Sequence, residues 1–158
     1  MCLHFIRNLG FFRAGWDGKV RLFRKSDLWA TINSNFIDIA VLEWCKLFGD
    51  SRALHHWGQV VVDGRAFFPQ LLAYLAIAET EWTLYVRGIR EYRDKFVAHL
   101  DDFNIMNIPR MEVAEKATYY LYDTIAAESD LELLQGLPRN LHTYYKDGHR
   151  VARDFYAE

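Results

Sequence analysis

Cysteine and proline are both scarce in this chain of 158 residues. The two cysteines, Cys2 and Cys45, are too few for a disulfide framework or a four-cysteine zinc site. Unpaired thiols are typical of a reducing compartment, so we expect a cytoplasmic protein. The three prolines, Pro69, Pro109 and Pro138, are each predicted to precede a helix.

Long apolar runs and a basic excess are missing as well. No segment approaches the roughly 20 apolar residues that a membrane helix needs. Arg7 and Arg13 interrupt the apolar opening before a secretory core could form. The formal net charge of −2 excludes a uniformly basic nucleic-acid binder, although it allows a local basic patch. We therefore expect a soluble protein that is not bound to a membrane.

Apolar residues are plentiful, at 51% of the chain, and they recur mostly with helical spacing. Alternation with a period of two, which is typical of strands, is rare. The pattern predicts a single all-α domain over residues 1–158, an antiparallel bundle of four or five helices. The predicted helices cover 26–50, 69–78, 79–100, 109–128 and 138–156. Residues 1–25 contain three glycines and are predicted to be an irregular or partly helical lead-in.

The stretch EYRDKFVAHLDD contains an arginine where an apolar residue is expected. In the predicted helix 79–100, each residue turns by about 100°. Trp82 and Ile89 then lie on one apolar stripe, and Arg93 falls within about 20° of Trp82, in the middle of that stripe. His99 falls at its edge.

A buried arginine needs a partner because an unpaired buried charge is costly. Three interpretations of Arg93 are open. Its side chain reaches solvent or pairs with an acidic residue of a neighbouring helix, it stabilises a dimer interface, or it lines a cleft that binds an anion such as phosphate. His99 is open to two interpretations, as a packing residue or as a group that exchanges a proton near neutral pH.

The segment YRDKFVAHLD resembles the signature of the HEPN superfamily (higher eukaryotes and prokaryotes nucleotide-binding), in its abortive-infection branch. That signature has an arginine, a polar residue and then a histidine, with four to six residues between arginine and histidine. Here five residues separate Arg93 from His99. The helix end VLEWCKLFGD is similar to that branch too, and the resemblance covers most of residues 26–127.

The resemblance implies a helical bundle that pairs about a two-fold axis, with two Arg–His pairs in one shared cleft. It implies a metal-independent endoribonuclease without a cofactor, in which Arg93 stabilises the phosphate and His99 is general base or acid. The expected products carry 2′,3′-cyclic phosphate and 5′-hydroxyl ends. Asp94 and Lys95 are candidate auxiliary residues, and a solvated acid is an equally good interpretation of Asp94.

The last predicted helix offers a second basic feature. One of its faces carries candidate RNA contacts, which are Lys146, His149, Arg150 and Arg153. The opposite face, which includes Tyr145 and Phe155, is predicted to pack on the bundle. A solvated amphipathic helix explains the same pattern.

Two hypotheses follow for the function. In the first, the protein is a homodimeric ribonuclease of the toxin or phage-defence kind that acts on RNA. In the second, it is a catalytically inactive bundle that binds a nucleotide or a partner protein, such as a cognate antitoxin or a nucleotidyltransferase-like subunit. No metal-ligand spacing is found in the sequence, so no metal site is predicted.

Overall fold

The computed structural model describes residues 1–98, 108–130, 132 and 134–157. Helices make up 72% of these residues, and the only sheet among them has two short strands. The predicted all-α fold class is therefore confirmed.

Seven α-helices, one hairpin and two π-helical segments follow one another along the described chain. The helices are α1 (Cys2–Ala14), α2 (Asp27–Trp44), α3 (Trp57–Val60), α4 (Gly64–Leu75), α5 (Glu79–Tyr92), α6 (Glu112–Glu128) and α7 (Leu141–Ala157). The strands β1 (Trp16–Asp17) and β2 (Val20–Arg21) form an antiparallel hairpin. The π-helical segments Cys45–Gly49 and Arg93–Ala98 continue α2 and α5. All five predicted helical regions contain a helix, and α1 and α3 are additional.

Helix α1 lies at the centre of the bundle, in the segment that was predicted to be irregular or partly helical. It packs against α2, α6 and α7. Phe5, Ile6 and Leu9 are completely buried, because Leu9 lies one helical turn after Phe5 and Ile6 and so points into the same core. The N-terminal segment is therefore a principal part of the core.

Helix α2 lies where it was predicted, but it buries a different face from the one that the periodicity indicated. Ser26 caps its N-terminus by accepting a hydrogen bond from the Trp29 amide. The buried face carries Ile37, Val41 and Trp44. Helical spacing in the sequence instead indicated a stripe that includes Leu28 and Ile39, and both of these are exposed. Because α2 is apolar around most of its circumference, periodicity alone could not select the face that packs against α1.

Helix α4 begins before Pro69, and the prediction that this proline opens the helix was wrong. The Asp63 carboxylate accepts hydrogen bonds from the amides of Arg65 and Ala66, at 3.1 and 3.0 Å. This cap starts the helix at Gly64 and places Pro69 inside it, where proline gives up one main-chain hydrogen bond.

Helix α7 runs in the same direction as α1, as its contacts progress from Gly10–Tyr145 to Trp16–Arg153. Near its end Tyr156 is buried, whereas Phe155, which was predicted to pack inward, is exposed. The helix is therefore rotated from the expected orientation.

A buried asparagine joins the hairpin to the bundle. Asn33 accepts a hydrogen bond from the Trp16 indole (2.8 Å) and donates to the Phe12 carbonyl (3.0 Å) and the Tyr156 hydroxyl (3.1 Å). One side chain thus connects α1, α2, β1 and α7.

None of the helices that the structure describes is both long and apolar enough to cross a membrane.

Candidate functional site around Arg93

Arg93 lies where α5 passes into its π-helical segment. The helix starts with Glu81 accepting a hydrogen bond from the Ala78 amide at 2.8 Å, and its inner face buries Trp82, Ile89 and Tyr92. Arg93 comes directly after Tyr92, the last buried residue of α5, and its side chain is only 16% exposed. π-helical segments are frequent at functional sites, because the wider turn redirects the side chains that follow it.

Two carboxylates hold the Arg93 guanidinium. Nη1 donates to Asp50 Oδ2 at 2.6 Å, and Nε donates to Asp94 Oδ1 at 2.8 Å. Burial works against the charge, but the hydrogen bonds to Asp50 and Asp94 outweigh it and raise the pKa of Arg93. Arg93 is thus paired with acidic residues of its own chain, as one of the three interpretations anticipated. The third nitrogen, Nη2, has no hydrogen-bond partner among the residues that the structure describes.

Asp50 reaches Arg93 because the π-helical segment Cys45–Gly49 ends directly before it. The Asp50 amide donates to the Cys45 carbonyl at 2.8 Å and closes the last turn. Gly49 allows close approach of the neighbouring helix, since a Cβ there would lie 3.3 Å from Arg90 Cγ. Asp50 was missed as a site residue, although it ends the motif VLEWCKLFGD and follows a helix-stopping glycine.

A shallow cavity of about 230 Å³ opens beside this pair. Its lining includes Asp50, Ser51, Arg52 and Arg90, so cationic groups surround one carboxylate. Cys45 is close to Arg93, but burial raises the pKa of its thiol to about 11, so the thiol is neutral at pH 7. The charged groups at the site are therefore the arginines and the two aspartates.

Tyr92 fixes the end of α5 against α2. Its hydroxyl donates to Asp38 Oδ1 at 3.0 Å. Burial raises the pKa of Asp38, although the hydrogen bond from Tyr92 opposes this. The residue directly before Arg93 is therefore anchored to α2, the same helix whose π-helical continuation leads to Asp50.

His99, the predicted proton-transfer residue, lies outside the described residues, so the structure gives no distance between it and Arg93. The two candidate auxiliary residues are described. Asp94 is 55% exposed and accepts a hydrogen bond from Arg93, so it helps to orient the guanidinium. Lys95 is exposed.

The four candidate RNA contacts on α7 do not form one free basic surface. Lys146 and Arg150 are exposed, and Arg150 lies 3.9 Å from Asp154. Arg153 donates to the Trp16 carbonyl at 3.1 Å and so serves the fold. His149 is half-buried, and burial together with the charges of Arg153 and Arg13 lowers its pKa.

Among the described residues, no group of three or more histidine, cysteine or acidic side chains is arranged to hold a metal ion. No family model, no curated protein and no solved structure matches the chain.

Proposed function

We propose that the protein is a metal-independent endoribonuclease of the toxin or phage-defence kind, which acts in the cytoplasm as a homodimer with Arg93 and His99 at a shared cleft. One observation carries the proposal. Arg93 is a charged, mostly buried guanidinium held in a fixed orientation by Asp50 and Asp94, and Asp50 lines a cavity together with Arg52 and Arg90. A guanidinium whose N–H donors are held in one orientation next to an open cavity is suited to binding a phosphate.

The proposed reaction is an internal transfer of the phosphodiester. His99 takes the proton from the ribose 2′-hydroxyl, the 2′-oxygen attacks phosphorus, and the bond from phosphorus to the 5′-oxygen breaks. A proton donated to the leaving 5′-oxygen gives a 5′-hydroxyl end, and the other end keeps a 2′,3′-cyclic phosphate. Positioned acid–base catalysis of this kind contributes about 10²–10⁴-fold to rate.

Arg93 stabilises the charge that develops on the non-bridging phosphate oxygens. Its bonds to Asp50 and Asp94 occupy Nη1 and Nε, which orients Nη2 as the donor available to RNA. Lys95, which is exposed one turn before His99, adds positive charge for the backbone.

The proposed dimer needs apolar contact surface, and two exposed side chains are candidates for it. Leu54 lies four residues after Asp50 and is 86% exposed, and Ile39 on α2 is exposed beside Asp38, the partner of Tyr92. Exposed apolar side chains near a site favour association through that surface. A two-fold axis here would bring both signature segments to one cleft.

The test is cleavage of a mixed RNA pool in EDTA by wild type, His99→Ala and Arg93→Ala, with end-group analysis of the products. Two matched controls are His55→Ala, an exposed histidine, and Arg87→Ala, an exposed arginine of α5. We expect cyclic-phosphate ends from the wild type and both controls, and none from the two signature variants. Cleavage by folded His99→Ala at the wild-type rate would refute the proposal.

A second function is favoured by a specific observation, namely that Arg93 is paired within its own chain. A guanidinium bound by two carboxylates needs no substrate to satisfy it, as expected in an inactive bundle that binds a nucleotide or a partner such as an antitoxin or a nucleotidyltransferase-like protein. A folded, dimeric wild type that cleaves no RNA, yet is captured by a neighbouring-gene product through the Asp50–Arg93 surface, would favour this alternative.

A further inference from the structure

A second cavity, larger than the one beside Arg93, lies between α1, the hairpin and α7. Its volume is about 630 Å³, which is within the range of about 300–1,000 Å³ that is usual for small-molecule sites. The functional proposal above makes no use of it. Its lining includes Phe12, Arg13, Trp16, Lys19, Tyr145 and His149.

The charges of this cavity favour an anion. Arg13 and Lys19 line it with positive charge, and none of its described lining residues carries a carboxylate. Glu115 is close by but is already bound to Arg13 at 2.6 Å, and its other oxygen accepts from the Tyr119 hydroxyl at 2.8 Å. Because Glu115 compensates Arg13, Lys19 supplies the net positive charge of the cavity lining.

The walls of the cavity favour an aromatic group. Phe12, Trp16 and Tyr145 present ring surfaces to it. The Trp16 ring is held in place, because its indole donates to Asn33 and its carbonyl accepts from Arg153. A fixed ring offers a stacking surface at little entropic cost.

His149 reports the electrostatics of the cavity. Arg153 on the same helix and Arg13 on α1 face it with positive charge, Lys19 lines the cavity from the hairpin, and the Tyr145 ring lies 5.9 Å away. The two arginines have carboxylate partners, namely Asp17 of β1 at 4.0 Å from Arg153 and Glu115 of α6 at 2.6 Å from Arg13. These cations add to burial in lowering the pKa of the imidazole. A bound anion would offset their repulsion, so binding must raise the pKa of His149.

We propose that this cavity binds a nucleotide, with the base stacked on Trp16 and Tyr145 and the phosphate held by Lys19 and Arg13. The same chemistry is offered by a free mononucleotide and by one unit of an RNA strand. The site is distinct from the surroundings of Arg93, and its occupation does not depend on whether the protein cleaves RNA.

The probes are adenosine 5′-monophosphate, adenosine, inorganic phosphate and a short single-stranded oligoribonucleotide. Binding is followed by NMR through the Trp16 indole proton, which is assigned with Trp16→Phe, and through the titration of His149. We expect the mononucleotide to shift the Trp16 signal and raise the pKa of His149, and adenosine or phosphate alone to bind more weakly. An oligonucleotide that competes and binds more tightly would assign the site to an RNA strand, whereas a tighter mononucleotide would assign it to the free ligand.

The matched variants are Lys19→Gln and Lys25→Gln, both of which change an exposed lysine. Loss of one charge-assisted contact should weaken mononucleotide binding about fivefold to tenfold in Lys19→Gln, with no change in Lys25→Gln. Binding should also be unchanged in His99→Ala, which separates this inference from the ribonuclease proposal. The inference fails if the mononucleotide leaves the Trp16 signal in place, or if the two lysine variants bind it equally.

Discussion

The Arg93–Asp50 pair should be the most costly ion pair to break near the candidate site. We consider Asp50→Asn, which keeps the shape of the side chain and removes its charge, together with Arg93→Met and the double variant. The pair joins the segment after α2 to the end of α5 at 2.6 Å, so the three variants measure how strongly these elements are coupled.

The magnitude can be estimated from the exposure of the two partners. A hydrogen bond to a charged group contributes about 1.5–3 kcal/mol when buried. Arg93 is 16% exposed but Asp50 is 36% exposed, so solvent screens the pair in part. Asp94 also retains one bond to the guanidinium in Asp50→Asn. We therefore expect a coupling free energy of about 1–2 kcal/mol between Arg93 and Asp50.

The assay is urea denaturation of all four proteins at pH 7, which yields the coupling from the four free energies of unfolding. Glu91→Gln is the matched control, because Glu91 and Arg87 lie 3.9 Å apart on the exposed face of the same helix. That pair should contribute about 0–0.5 kcal/mol.

A coupling between Arg93 and Asp50 no larger than that of the Glu91 control would refute the reasoning. It would mean that the guanidinium is solvated and that the acidic partners do not hold it in place.

Four other predictions follow from burial, packing and exposure. Burial lowers the pKa of His56 below its ordinary value of 6.5, so its contribution to stability is complete above about pH 6.5 and is lost as the pH falls below it. The variant His56→Asn should therefore lose less stability over this pH range. Gly15→Ala should destabilise the fold by about 1–3 kcal/mol, because its Cβ would lie 2.5 Å from a buried asparagine nitrogen. Gly88→Ala, in an open helical position, should stabilise it by about 0.5–1 kcal/mol. Leu54→Ser should weaken the proposed homodimer without changing helicity.

Each of these has a clear contrary outcome. Denaturation at pH 7.5 and 5.5 that gives the same loss for His56→Asn and wild type would assign the pH dependence to other groups. Equal effects of Gly15→Ala and Gly88→Ala would show that the close packing around Gly15 relaxes at no cost. Sedimentation at several concentrations tests the Leu54 variant, with Val20→Ser, an exposed change on the hairpin, as its control.

The sequence predicts the helices better than their orientation. Capping residues and glycine stops are local signals, so α2 and the helix that starts at Glu79 were predicted within a few residues. Which face of α2 turns inward depends on contacts with α1, which are not local. Helix α1 contains Gly10, and glycine inside a helix is an unfavourable signal in the sequence. In the fold this glycine lies against Tyr145 of α7, whose ring is 3.4 Å from the position that a Cβ would take.

For the candidate site, the sequence predicts that Arg93 needs a partner but does not identify Asp50 as that partner. The two residues are 43 positions apart and meet only because α2 and α5 both end in π-helical segments. A helical wheel assumes a constant turn per residue, so it cannot anticipate such a segment. The roles of Arg93 and His99 in catalysis remain predictions.

The central position of α1 has a consequence for the order of folding. Its buried side chains contact α2, which is the next helix, but also α7, which follows the other six α-helices in the described chain. Contacts between such distant segments slow folding, because a long loop must close before they form. During synthesis the side of α1 that faces α7 stays uncovered, which exposes apolar surface to aggregation and to chaperones. A ribosome-bound chain that ends before Leu141 should therefore be more sensitive to protease than the released protein.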